Sequence, residues 1–335
     1  MISRTARLGV FTAVLTTILA APPVSAASIG RPMAFSQTHP PGSRYMGIRL
    51  LGALDLGKAP VDGLNASELS GLAWDEDEQL LYAVSDKGYL IHLRIGFVDG
   101  TLAGADLVAA YPLLDAKGKR VGSGWWDAED LAIRDGNDGR KGNTELLVSF
   151  EQHARVMRYR PDGELLGKET LPAVLRDDHR YRSTNNELEA VTLLPGIGVL
   201  TAPEWPLRGS RRDRRCLYGQ DGSQWCYPPL DPDYSSISSL ETTPDHRVLI
   251  LERRYKNIFW PVIFAVRRAT LDPNAHPRGA DIRVQDIARF SSTDGFAVDN
   301  FEGIARHQGN RYFLVSDDNN SSIQKTVLIY FEILD

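Results

Sequence analysis

The sequence predicts an all-β fold, a β-propeller with four-stranded blades. Three observations carry that reading. Long helical periodicity is nearly absent, short β-rich runs follow one another between turn signals, and one strand-pair motif recurs along the chain. The runs lie at 80–84, 89–95, 145–150, 156–159, 248–251, 258–266, 311–315 and 327–333. Asp99-Gly100, Asp135-Gly136, Pro161-Asp162-Gly163 and Gln308-Gly309-Asn310 separate them as turn signals.

The motif is a small or acidic head, a few apolar residues, a turn, then an apolar strand ending in a polar or acidic residue. Its heads are Ser70, Glu129, Glu189, Glu241 and Glu302, and its ends are Asp86, Glu151, Glu204, Glu252 and Asp317. The heads recur about 60 residues apart, with one shorter interval between Glu189 and Glu241. Each interval has room for about four strands, so one blade per repeat is the natural assignment. Five motif-bearing units are counted, and the length also accommodates six blades with one lacking the motif. Segment 45–56 precedes the first unit and 327–333 follows the last. Pairing them in one blade would close the ring and protect edges that otherwise invite aggregation. A β-sandwich with coincidental repeats is the alternative.

The first 26 residues read as an export signal. Arg4 and Arg7 precede a mostly apolar stretch over 8–21, and Val24-Ser25-Ala26 offers a small-x-small cleavage site. The expected organisation is a signal peptide over 1–26, an N-terminal extension over 27–44 and a propeller domain over 45–335. A membrane anchor is the competing reading of the first segment. Nothing later resembles a membrane span, so none is expected after cleavage. The expected location is the periplasm or the medium, where Cys216 and Cys226 could close a small loop as a disulfide.

Composition narrows the function. The chain has 335 residues, 42% hydrophobic and 24% charged, with a formal charge of −5 at pH 7. That excludes a disordered chain and argues against nucleic acid gripped through net charge. Two cysteines exclude a four-cysteine metal site. No GxSxG elbow, HExxH motif, P-loop or dinucleotide fingerprint is present.

Equivalent positions of a propeller face one region. Glu129, Glu189, Glu241 and Glu302 are therefore expected around one end of the central channel, as ligands or base. Glu151, Glu204, Glu252 and Asp317 are expected as further ligands beside them, with Asp86 ending the first unit. Crowded carboxylates raise one another's pKa or recruit a cation, and oxygen donors suit Ca²⁺. Asp127, Asp130, Asn185, Asn186, Asn300, Asp318 and Asn319 could supply more oxygens. Arg253 is a candidate anion clamp. His153, Arg155, Arg180, Arg182 and His307 also lie near the acids in sequence, and Trp125-Trp126 could line the site. The arginine-rich segment 208–215 reads as a loop that guards the channel, binds an anionic partner or is simply solvated.

These same segments carry a family resemblance. LSGLAWDEDEQLLYAVSD, DAEDLAI, LLVSFEQHARVMRY, NNELEAVTLLPG, SSISSLETTPDHRVLILERRY and NFEGIARHQGNRYFLVSDDNN resemble the bacterial phytase-like, "esterase-like activity of phytase" family over roughly 45–335. The resemblance implies an exported β-propeller hydrolysing a phosphomonoester or related ester with metal assistance. It places the family's pattern on Glu129, Glu151, Glu189, Glu204, Glu241, Glu252, Arg253, Glu302 and Asp317. It implies a small anionic or ester substrate and does not fix phytate as that substrate. Ser70 stands where other heads carry Glu, leaving the carboxylate ring incomplete. Two other functions stay open: a non-catalytic, calcium-stabilised propeller binding a cell-envelope ligand or protein, and a cofactor-dependent oxidoreductase.

Overall fold

Each recurrence of the motif builds the two innermost strands of one blade. The computed structural model describes residues 27–335 except 58–59, 62, 66, 123–124, 185, 258, 273, 276, 322–323 and 335. The expected signal peptide and Asn185 lie outside the described residues. The inner strands of blades I to V are Leu69–Asp75, Ala128–Arg134, Leu188–Leu194, Ser235–Thr242 and Asn300–Arg306. The second strands are Leu80–Ser85, Glu145–Phe150, Gly198–Pro203, Val248–Arg254 and Arg311–Asp317. Two further antiparallel strands complete each blade, so the described residues form a five-bladed propeller and the six-blade alternative falls.

Blade V closes the ring. Its third strand, Thr326–Ile333, pairs with Ile48–Leu56 from the start of the chain, as the flanking β-patterns predict. Residues before Tyr45 join in. Gly30–Pro32 pairs with Ile48–Leu56 in blade V, and Ala27–Ser28 pairs with the outer strand of blade I. The stretch expected as an extension thus links two adjacent blades. A second cross-blade link comes from blade IV, whose Arg278–Asp281 strand adds in parallel to the outer strand of blade III. Cys216 and Cys226 face each other across the two outer strands of blade III and form a disulfide.

Five apolar clusters fill the five interfaces between blades. Leu147 and Val156 meet Val191 and Tyr218 between blades II and III, and Leu249, Phe264 and Phe290 meet Phe301, Leu314 and Phe331 between IV and V. Both faces of every inner sheet are covered, which explains why second strands such as LLYAVS are apolar throughout rather than alternating. Each fully buried Leu or Phe is worth roughly 1.5–3 kcal/mol, so the interfaces supply most of the cohesion.

The inner strands share one irregularity. The ladder between first and second strands shifts near the start of the motif in all five blades, leaving Ser70, Glu129, Glu189, Ser238 and Glu302 at the bulge. The next position holds Gly71, Asp130, Ala190, Ser239 and Gly303, small except at Asp130. The crowding is severe there: a Cβ on Gly71 would sit 2.5 Å from the Leu131 nitrogen.

Asp130 occupies the middle of this ring. Its Oδ1 accepts from Leu131 N at 2.9 Å and Ser239 Oγ at 2.9 Å; its Oδ2 accepts from Val191 N at 3.0 Å and Leu240 N at 3.3 Å. One carboxylate therefore ties blade II to blades III and IV. Burial pushes its pKa up while the four donors oppose that, and donors on both oxygens are the environment of a carboxylate. Asp130, expected among the cation-binding oxygens, is instead a structural hub. Asp130→Asn places an amide NH₂ against donors and should lower stability by at least about 2 kcal/mol in urea unfolding; an unchanged midpoint would remove Asp130 from that role.

Candidate functional site

The register of the bulges decides which side chains meet. Inner strands start, and second strands end, at the same mouth of the channel. Glu129, Glu189 and Glu302 stand at bulges there. On the second strands, one residue beyond the partner of the inner-strand residue that precedes each bulge, stand Asp86, Glu151, Glu204, Arg253 and Asp317. These are the positions expected to bear a second acidic ring, with one exchange. In blade IV the place belongs to Arg253, not Glu252, and the bulge belongs to Ser238, not Glu241.

Two groups of carboxylates come together at this mouth. Asp127, Glu129 and Glu151 form one, and Glu151, Glu189 and Glu204 form the other; within each, one oxygen per residue lies within 4.8 Å of the rest. Glu151 belongs to both. Its backbone nitrogen donates to Asp127 O at 3.0 Å, and its Oε1 accepts from Glu187 N at 3.0 Å. Asp127 accepts from Gln152 Nε2 at 2.6 Å, and Glu204 accepts from Asn186 Nδ2 at 2.6 Å. Glu187 is itself held by the His153 and Ala154 nitrogens, both at 2.8 Å. Backbone and amide donors thus fix the carboxylates close together although they repel.

Burial, then neighbouring carboxylates, push these groups toward the protonated form. Glu151 is raised to about 9, and Glu129 and Glu189 are raised well above the usual range. Glu302 is raised to about 8, Asp86 to about 7 and Asp317 to about 6. Asp86 Oδ1 is buried without a hydrogen-bond partner. An all-oxygen donor set, crowded and acidic, fits a hard divalent cation.

Two cations answer this charge. Lys87 Nζ lies 2.9 Å from Glu68 and 3.3 Å from Asp86. Arg253 lies 3.2 Å from Glu204 and 3.3 Å from Glu302, and it also donates to Asn300 Oδ1. The neighbouring carboxylates outweigh the cost of burial and raise its pKa. Arg253 is thereby engaged on both amino groups by protein oxygens, a clasp between blades III, IV and V rather than a free fork for an anion.

The structure separates two predicted residues from the mouth. Glu241 lies near the far end of its strand and accepts from Arg306 N at 2.9 Å and Thr242 N at 2.7 Å. With Trp74, Thr192, Arg306 and His307 it lines a cavity of about 450 Å³ at the opposite end of the channel. Glu252 turns into its blade, where Arg267 Nη1 lies 2.8 Å away and Leu230 N donates to it at 2.5 Å. The string Leu240-Glu241 imitates the motif head, whereas the equivalent tetrad is Ile237-Ser238-Ser239-Leu240. Moving the head from Glu241 to Ser238 shortens the already short interval from Glu189, so spacing gave no sign of the displacement.

The remaining expectations divide in the same way. Asp127, Asn186 and Asn300 touch the site's carboxylates, Asn319 N supports Asp317 at 2.8 Å, and Asp318 Oδ1 accepts from Glu68 N at 3.3 Å. His307 sits at the far end, stacked on Phe97 and bonded to the Tyr330 hydroxyl at 2.7 Å. Arg155 points at carbonyls and the Phe150 ring, and Trp125 stacks on His153 at the mouth's rim. Glu68, Lys87, Gln152 and Glu187 escaped the sequence reading, although Glu68 and Glu187 share with Asp127 and Asn300 the position two residues before a bulge.

A family model described as phytase-like, esterase-like activity of phytase, matches residues 65–320. Among solved structures the chain is similar to a gluconolactonase from Xanthomonas campestris, with 12% identity and a TM-score of 0.40 over 93% of this chain and 99% of that one. It is also similar to the β-propeller domain of Cps50 (Swd1) from Myceliophteria thermophila, with 8% identity and a TM-score of 0.39 over 92% of this chain and 98% of that one. Likenesses at that level carry no argument about this chain. Curated proteins give no match. The family match spans most of the sequence and includes both carboxylate groups and Arg253, so the chain belongs to the phytase-like family with the esterase-like activity of phytase.

Proposed function

We propose that this propeller hydrolyses a phosphomonoester or related ester at the carboxylate-lined mouth, with Ca²⁺ as its ion. The observation behind this reading is the pair of carboxylate groups sharing Glu151, inside the segment matched to an esterase family. Asp127, Glu129, Glu151, Glu189 and Glu204 would hold the ion. When bound, it supplies charge neutralisation to an ester oxygen and acidifies water. Arg253 keeps Glu204 and Glu302 in place, and Lys87 performs the same service for Glu68 and Asp86. Glu302 stands outside both groups and is the carboxyl proposed to hold or move a proton. Glu241 and Glu252 take no part. Export to the periplasm or medium accords with the Cys216–Cys226 disulfide. No helix among the described residues is long and apolar enough to cross a membrane.

The direct test is product release from phytate, a simple aryl phosphate and an aryl acetate, with calcium and with chelator. Turnover of at least one ester should require calcium and fall by about a hundredfold or more in Glu302→Gln. Folded protein that turns over none of them would contradict the proposal.

Stability offers a second test. Carboxyls whose folded pKa is raised favour the folded state while protonated. Without metal, stability should therefore fall as pH rises from about 5 to about 9, through the values of Asp317, Glu302 and Glu151. Added calcium should raise the melting temperature most at the alkaline end, and Glu151→Gln should shrink that gain. A calcium effect independent of pH and of Glu151 would place the ion elsewhere.

A further inference from the structure

Two loops at the channel's acidic mouth are built unlike the rest of the surface. Both join second to third strands, in adjacent blades. The first follows Arg254 in blade IV. Its tip carries Tyr255, Phe259 and Trp260 at 47%, 88% and 49% exposure. The tip is a defined turn: Phe259 N donates to Asn257 Oδ1 at 3.0 Å and Trp260 N to Asn257 O at 3.0 Å. Lys256 Nζ lies 4.2 Å from the Trp260 ring centroid and 5.0 Å from that of Tyr234. Large aromatic side chains are therefore held outward together with a cation.

The second loop follows Pro203 in blade III. Arg182, Arg208 and Arg212 line a cavity of about 440 Å³ there. No carboxylate of the described residues lies within ion-pair distance of these three, whereas Arg211 and Arg214 in the same loop are paired with Asp213 and Asp281. The loops are physically continuous. Arg215 binds the carbonyls of Arg212 and Pro232, and Tyr255 N donates to Tyr234 O at 3.0 Å. Exposed aromatics beside uncompensated arginines suit one kind of partner, a surface that is apolar beneath and anionic at its face.

We infer that the blade III and IV loops dock the channel mouth onto an anionic lipid surface, Phe259 and Trp260 entering the headgroup boundary while Arg182, Arg208 and Arg212 contact phosphates. The protein's negative overall charge makes this contact local rather than a general attraction to membranes. The inference does not depend on hydrolysis, because binding is read without turnover.

The experiment is co-sedimentation of the protein with vesicles of phosphatidylcholine alone and of phosphatidylcholine mixed with phosphatidylglycerol. Binding should appear on the mixed vesicles and weaken with salt. A variant combining Arg182→Gln, Arg208→Gln and Arg212→Gln should lose affinity on the order of a hundredfold. Phe259→Ser with Trp260→Ser should lose about tenfold or more. Arg182 is half-buried over the Trp205 ring and the other four residues are exposed, so circular dichroism checks the folding of both variants. Absence of binding to either vesicle would overturn the inference, as would binding indifferent to both variants. Soluble glycerol phosphate displacing the protein completely at low concentration would assign the arginines to a free anion instead. Self-association abolished by the aromatic variant, without vesicle binding, would assign the tip to a second copy of the chain.

Discussion

The structure depends on a single carboxylate placed where five strands come closest. Five blades make a narrow ring, and the inner strands approach until only small residues fit at Gly71, Ala190, Ser239 and Gly303. Asp130 uses the remaining space, and its bonds to blades III and IV satisfy the backbone donors of Val191 and Leu240 and the hydroxyl of Ser239. A buried carboxylate with four donors is costly to desolvate but more costly to remove, because each abandoned donor stays buried. The same hub separates the channel into two ends with different chemistry.

That division determines the site. At one end the bulges aim Glu129, Glu189 and Glu302 into the mouth, and the second strands deliver Glu151, Glu204 and Asp317 beside them. A bulge turns a side chain off the alternating pleat, so the repeated irregularity is the device that concentrates acids. Blade IV breaks the pattern twice, with Ser238 and Arg253. The consequence is electrostatic: the ring contains an internal cation next to Glu204 and Glu302, while Glu151, at the opposite side of Glu204, is left among carboxylates. The crowding that raises Glu151 is thus concentrated away from Arg253.

Much of this was legible in the sequence. Repeated heads and apolar strands revealed the propeller, and the β-pattern of 45–56 foretold closure against the last strand. Glu129, Glu151, Glu189, Glu204, Glu302 and Asp317 followed from equivalence of position. The errors arose where composition and register disagree. Glu241 satisfied the motif by letter, yet strand pairing places Ser238 at its bulge. Glu252 ended its apolar run as expected, but alternation along the strand turns it toward Arg267 and presents Arg253 to the mouth. Asp130 looked like one more channel oxygen because a sequence does not display the donors that surround it. Gln152 has no repeat to reveal it, and Glu187 shares its place before the bulge with Glu68, Asp127 and Asn300, a repeat that the mixed residue types hide.

The carboxylates meeting at Glu151 are proposed to be arranged around a divalent cation. A crystal structure grown with calcium, read by anomalous scattering, tests it most directly. A calcium peak in contact with Glu151 and at least two of Asp127, Glu129, Glu189 and Glu204 is the predicted result. A mouth with no such peak, and with these carboxyls sharing protons in hydrogen bonds to one another, would contradict the account.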